Sequence, residues 1–430
     1  MIRQYLQLPR AVHILCVGVL INRAGTFVIP FMTIYLRKKL GLSETFATTT
    51  MGVFGLGSIF AAICGGHLAD QIGRRTVMLI SMFGGAAVLV VFNDLKTPAA
   101  ILTAAFVYAL LADMYRPAAA AMLADLVDPA RRSLAFGLMY VAINLGFSIA
   151  PLVGGAIAAY SFSWLFWGDA ATCALYGLII LLAIAETLPP RAEGPSTGAG
   201  GHATTRPQAP TRRPAWVTIA TDRPFLLFCL ASLFIGSAFM QAMGTFPLYL
   251  DRMGLGPKEY GQIIAVNGFL IWTLQLPLTS VLNRYRRDRV LIAAALLTGI
   301  GFGLTPLAVT QWHFIGTVVV WTLGEMMQSP YMNAIISDMA PVHLRGRYMG
   351  VFSMCFAVAM TIGVPAGGWV LSRHGGPALW QITMLLGVAA ALIYASIWRH
   401  LLPRQAAGFP AVVEDAPVAD GETPVPESAT

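Results

Sequence analysis

The sequence predicts an all-α membrane protein with twelve transmembrane helices in two pseudo-symmetric six-helix bundles. Three observations carry that prediction. Of the 430 residues 57% are hydrophobic and only 11% charged, and the mean hydropathy is +0.69, whereas soluble domains carry about 25% charged residues. Apolar runs long enough to cross a hydrocarbon core of about 30 Å as helices recur along the whole chain. The second half also repeats the first at one constant offset.

The first run, near 11–36, follows Arg3 and Arg10. It continues too far for a signal-peptide core and ends in no small-residue cleavage site, so it reads as an uncleaved first span. Runs near 48–69, 76–93, 98–125, 134–159 and 162–186 complete an N-terminal bundle over 1–186. Residues 187–223, rich in Pro, Gly, Thr and Arg, read as a flexible cytoplasmic linker. Runs near 224–250, 260–282, 289–309, 313–338, 348–371 and 377–399 make a C-terminal bundle over 224–400, and 401–430 is a Pro-rich, acidic tail without apolar periodicity, read as disordered. Open strands would leave backbone groups unsatisfied in lipid, and the alternation of a barrel is missing.

Adding 213 carries Pro117 to Pro330, Asp125 to Asp338, Arg132 to Arg345, Gly137 to Gly350, Gly154-Gly155 to Gly367-Gly368, and Trp167 to Trp380. One offset held across spans four to six and ten to twelve marks an internal duplication with parallel halves. Nineteen of the 28 Lys and Arg residues fall on the side of the termini and seven on the other, with Arg23 and Arg116 inside the membrane. That bias puts both termini in the cytoplasm and the chain in the cell membrane, although Arg37-Lys38-Lys39 is a local exception. The basic residues sit in short loops between apolar runs, so the net charge of +8 speaks of orientation and not of nucleic acid. All five cysteines lie in apolar runs and read as inert thiols, with no disulfide, metal or cofactor implied. No nucleophile–base cluster, HExxH or Walker motif is present, so neither an enzyme nor an ATP-driven pump is expected.

"GGHLADQIGRRTVM", Gly65 to Met78, resembles the signature loop of the major facilitator superfamily, G-x-L-x-D-x-x-G-R-R/K, at Gly66, Leu68, Asp70, Gly73, Arg74 and Arg75. Small Gly65 and Gly66 allow close helix approach, Asp70 can cap a helix N-terminus, and Arg74 or Arg75 can pair with Asp125. In span five, "NLGFSIAPLVGG" resembles the Gly-Pro-rich motif of the superfamily's antiporters at Gly146, Pro151, Gly154 and Gly155. Span eleven has a similar "GVPAGG" with Pro365, Gly367 and Gly368. Pro kinks a helix and Gly thins it, so these positions suit an interface at which two bundles rock. "TLGEMMQSPYMNAIISDMAPVHLRGRYMG" resembles bacterial drug:proton antiporters of the LmrP and MdtH type.

The resemblance implies that spans one, four, seven and ten line a central cavity. The candidates there are Asn22, Arg23, Tyr115, Arg116, Gln241, Met243 and Gln328 for substrate, and Glu325 and Asp113 for protons. Glu325 matches the protonatable span-ten Glu of that type. Met139 and Met243 stand where the type has two further acids. A carboxylate at bilayer depth costs several kcal/mol unless it is neutralised or paired, and Arg23 or Arg116 would be its partner; Asp113 and Arg116, at i and i+3, can also neutralise each other. The implied function is proton-coupled export of an amphipathic small molecule or drug by a monomer in lipid. Import or uniport of a small, possibly anionic, metabolite and a non-transporting scaffold are the alternatives.

Overall fold

The structure, a computed structural model, describes residues 7–128, 131–187, 215–341 and 344–402, without the side chains of Ser133, Ala215 and Asn333. The tail beyond 402 and residues 188–214 of the linker lie outside the described residues. Part of the linker does not read as expected, since Ala215–Thr221 is a short helix that leads into the seventh span.

The described residues are helical throughout and contain no strand. Span one is Arg10–Ala24 followed, after a break, by Val28–Lys38. Spans two to six are Glu44–Ile72, Arg74–Phe92, Pro98–Asp125, Arg132–Tyr160 and Ser163–Ala183. Span seven is again broken, into Arg223–Gly244 and Phe246–Arg252. Spans eight to ten are Pro257–Leu282, Arg287–Gly303 and Gln311–Met339. Span eleven starts at Arg345, widens into a π turn at Ala359–Gly363 and runs on to a break at Gly375 (φ 80°), beyond which span twelve ends at Ser396. A positive φ of this kind is left to glycine because other residues clash there. Ten segments of the described residues meet a length-and-hydropathy criterion for a membrane crossing, spans eleven and twelve being merged as one of them. Span ten, 29 residues long, carries Glu325 and Asp338.

Broken helices in lipid need new partners for the freed backbone groups. In span one the Asp169 carboxylate of span six accepts from the Val28 N–H at 3.1 Å. In span seven the Tyr260 hydroxyl donates to the Ala242 carbonyl at 3.1 Å.

The duplication is visible as repeated contacts. Arg74 Nε lies 2.9 Å from Asp125 Oδ2, and Arg287 Nη1 lies 2.9 Å from Asp338 Oδ2. Arg132 Nε donates to the Ala124 carbonyl and Arg345 Nε to the Ser337 carbonyl, each at 3.2 Å.

Three apolar clusters show how the halves meet. At the end away from the termini one cluster joins both, with Phe31 edge-on to Tyr260 at 5.2 Å. At the termini end each half has its own cluster. Lys38–Asp251 (2.5 Å) and Arg252–Glu44 bridge the halves at the joined end, and Arg252 also donates to the Leu371 carbonyl at 3.1 Å. Lys38, from the cluster that departs from the charge bias, thus helps to tie the halves together. Aromatic rings continue inward from this end: Trp380 packs on Tyr249 at 5.6 Å and stacks on Phe302 at 6.1 Å, and Phe302 stacks on Trp321 at 5.2 Å.

Two helix pairs cross between the halves at backbone distance. A Cβ on Gly155 of span five would stand 2.8 Å from the Pro257 carbonyl oxygen of span eight. A Cβ on Gly55 of span two would stand 2.8 Å from the Thr361 amide in the π turn of span eleven.

Candidate functional site

Each half carries a cavity. The C-terminal one, about 360 Å³, lies among spans seven, eight, ten and eleven. A period of 3.6 puts Trp321, Glu325, Gln328 and Met332 on one face of span ten, and all four line it together with Met243. Glu325 receives a 2.8 Å hydrogen bond from Asn267 Nδ2 of span eight, which also donates to Thr322 at 3.1 Å. No Lys or Arg lies within ion-pair distance of Glu325 among the described residues. Neither Arg23 nor Arg116 is its partner, because each is held by its own half. Gln328 is buried, with Nε2 on the Met332 sulfur at 3.8 Å and Oε1 unpaired.

The N-terminal cavity, about 350 Å³, is lined by Arg23, Tyr115, Arg116, Met139 and Phe147. Arg23 is 6% exposed and donates Nε to the Tyr115 hydroxyl at 3.0 Å and Nη2 to the same oxygen. Its guanidinium lies over the Phe147 ring at 5.5 Å, a favourable cation–π arrangement. Asp113 is paired with Arg116 at 2.9 Å and accepts from Ser58 at 2.6 Å. Ser148, next to Phe147 on span five, packs across the halves on Gly268, next to Asn267 on span eight.

Three sequence expectations are corrected. Gln241 does not line the central cavity: its amide donates to the Gly363 carbonyl at 2.9 Å and ties span seven to span eleven. Phe239, Met240 and Met243, about 100° per residue around the same helix, take the cavity face instead. Asn22 does not line the N-terminal cavity and donates to Cys173 Sγ at 3.3 Å between spans one and six. Gly66 has open space where a Cβ would be, whereas Gly65 packs on the Met114 carbonyl of span four.

The signature loop also differs in detail. Asp70 is exposed and makes no hydrogen bond or ion pair among the described residues. Glu186, in the "ETLPPR" that follows span six, does the capping: its carboxylate accepts from the Arg74 and Arg75 amides at 3.0 Å each. Gly73, at φ 100°, admits it. Arg75 donates to the Leu181 carbonyl at 2.7 Å. Gly146 and Gly154 pack span five on Arg23 and Phe31 of span one, Gly155 and Pro151 meet span eight, Pro365 and Gly368 meet Gly52 and Thr48 of span two, and Gly367 meets Gln241.

Asn267 and Asp169 escaped the sequence reading. The first signal was a lone amide in an apolar run. The second was an acid in "WGDAAT", where it is buried at 1% exposure.

Known proteins resemble the chain over most of its length. It is 26% identical over 377 residues to a "Na(+), Li(+), K(+)/H(+) antiporter" of Planococcus maritimus, covering 81% of this chain and 87% of that one. It is 23% identical over 379 residues to the multidrug resistance protein MdtH of Edwardsiella ictaluri, covering 87% and 90%. In structure it matches the POT family transporter PepTSo with a TM-score of 0.74 at 18% identity, covering 92% and 99%. The fold is thus that of twelve-span transporters. The model of the Major Facilitator Superfamily matches residues 15–272 and 253–420, and the chain belongs to that superfamily.

Proposed function

We propose that the protein is a proton-coupled exporter of amphipathic small molecules in the cytoplasmic membrane, with both termini inside. Secondary transport of a small molecule, without catalysis, follows from membership of the superfamily. Proton coupling, direction and substrate class are the proposal, and one observation carries it: Glu325 stands in a largely apolar cavity with a neutral amide as partner and no cation within ion-pair distance among the described residues. A carboxylate so placed is accommodated at closure when it is protonated and draws water or a cation when it is not. Proton and substrate then compete for one site, which gives exchange. Phe239, Met240, Met243 and Trp321 supply polarizable, adaptable walls for an apolar body. The similarity to MdtH supports export. Asp70, Gly73, Arg74, Arg75 and Asp125 are the proposed inner gate, and the small residues of spans five and eleven the rocking faces.

The test is uptake into inverted proteoliposomes under an imposed pH gradient. Glu325→Gln should keep downhill leak and lose uphill accumulation by tenfold or more. Uphill transport with unchanged pH dependence in that variant would sink the reading. A second reading, exchange of an alkali cation for protons, is favoured by the similarity to the Planococcus antiporter. Adding Na⁺ to the same vesicles with an entrapped pH dye separates the two.

A further inference from the structure

The two cavities carry opposite, separately held charges. On the N-terminal side Arg23 is 6% exposed, lines the cavity, and has only a tyrosine hydroxyl and aromatic faces as partners. No carboxylate lies within ion-pair distance of it among the described residues. Asp113 and Asp169, the acids midway along spans four and six, are engaged elsewhere: Asp113 by Arg116 and Ser58, and Asp169 by the Val28 amide. A guanidinium in a low-dielectric site without a counter-ion is costly, so this cavity is built to receive an anionic group. On the C-terminal side Glu325 has no cation, and Gln328 Oε1 is a second acceptor left unpaired. That cavity is built to receive a cationic hydrogen-bond donor. The apolar lining is Met139 and Phe147 in the first cavity and Met243 and Trp321 in the second.

We infer that the substrate is an amphipathic zwitterion, with an acidic group seated on Arg23 and Tyr115, an ammonium group seated on Glu325, and an apolar body between them. This rests on the export reading and sharpens it. The ammonium takes the place of the proton on Glu325, which makes proton and substrate exclusive of one another. The acid anchors the molecule in the other half, so one substrate bridges both bundles. Glu325 and the bound acid then share the cleft without repulsion, because the ammonium stands between them. A plain anion would lack that shield, and a plain cation would leave Arg23 unpaired.

The experiment is equilibrium binding to the full chain in nanodiscs, with empty nanodiscs subtracted. The probes are an aminomethyl-biphenyl carboxylate, its methyl ester (cation only), its N-acetyl form (anion only) and the doubly blocked neutral form. A one-ring set is run alongside, so that a wrong spacing is not mistaken for wrong chemistry. The zwitterion should bind about tenfold or more tighter than either singly charged form. Arg23→Gln should bring it down to the level of the ester while leaving the ester itself unchanged. Glu325→Gln should bring it down to the level of the N-acetyl form. Arg23→Lys should keep part of the preference and guards against mere misfolding. An ester that binds as tightly as the zwitterion to the unaltered protein overturns the inference, as does binding of none of the eight compounds. Zwitterion preference without proton-driven transport would sink the export reading alone; proton-driven export of a cationic dye without that preference would sink this inference alone.

Discussion

Asp169 shows what a single side chain contributes inside the bilayer. Its carboxylate closes the break in span one by accepting the Val28 amide, at a place where the side chain is 1% exposed. Asp169→Leu leaves that amide unsatisfied, at a cost of about 1–3 kcal/mol. Asp169→Asn keeps an acceptor oxygen in the same place. Thermal unfolding in detergent should therefore fall by several degrees for Leu and by little for Asn; equal losses would mean that charge, and not the hydrogen bond, matters there. The depth of Glu325 was legible in the sequence, because it stands midway along a 29-residue span whose other acid, Asp338, lies at the end. Its partner was not, since Asn267 carries no charge and stands 58 residues away on another helix. The same limit explains Gln241 and Asn22. Sequence places a polar residue on a span, but the helical phase that aims it inward or outward is fixed by packing.

At the level of elements, the span five–span eight crossing is the contact most exposed to test. Pro151, Gly155 and Gly261 bring two backbones together across the halves, and nothing larger than hydrogen fits at Gly155. Gly155→Leu should abolish transport by disfavouring this packing, while each bundle still folds; Gly316→Leu, whose side chain would meet open space, should transport normally. Normal transport by Gly155→Leu would remove this crossing from the rocking interface. The motif glycines were readable because close approach in lipid needs small residues. The cap on span three was not: the motif put an acid at Asp70, and Glu186, more than a hundred positions on, fills the role because the chain returns to the same end after four more crossings.

Across the whole molecule, the arrangement is closed at one end by Lys38–Asp251 and Arg252–Glu44, while at the other each half keeps its own apolar cluster among the described residues. The two pairs exist only while the halves touch, so they bias a two-state equilibrium. Each contributes about 0.2–1 kcal/mol, and Glu44→Gln with Asp251→Asn should shift the population several-fold toward the opposite opening. Asp70, idle here, has contacts to gain only in that other state, so Asp70→Asn should shift the population the opposite way and slow turnover. Spin-label distances across the two ends check both, and shifts of the same sign would contradict the assignment. The rings from Tyr249 through Trp380 and Phe302 to Trp321 have a consequence of another kind. Trp321 borders the Glu325 cavity, while Trp380 lies in the cluster that holds the halves together. Each tryptophan is held in a fixed ring environment, stacked on Phe302 at 7° and 9°. With the other seven of the nine tryptophans replaced by phenylalanine, the chain becomes its own unlabelled sensor: its near-ultraviolet dichroism would register cavity occupancy through one chromophore and the parting of the halves through the other, in the same spectrum.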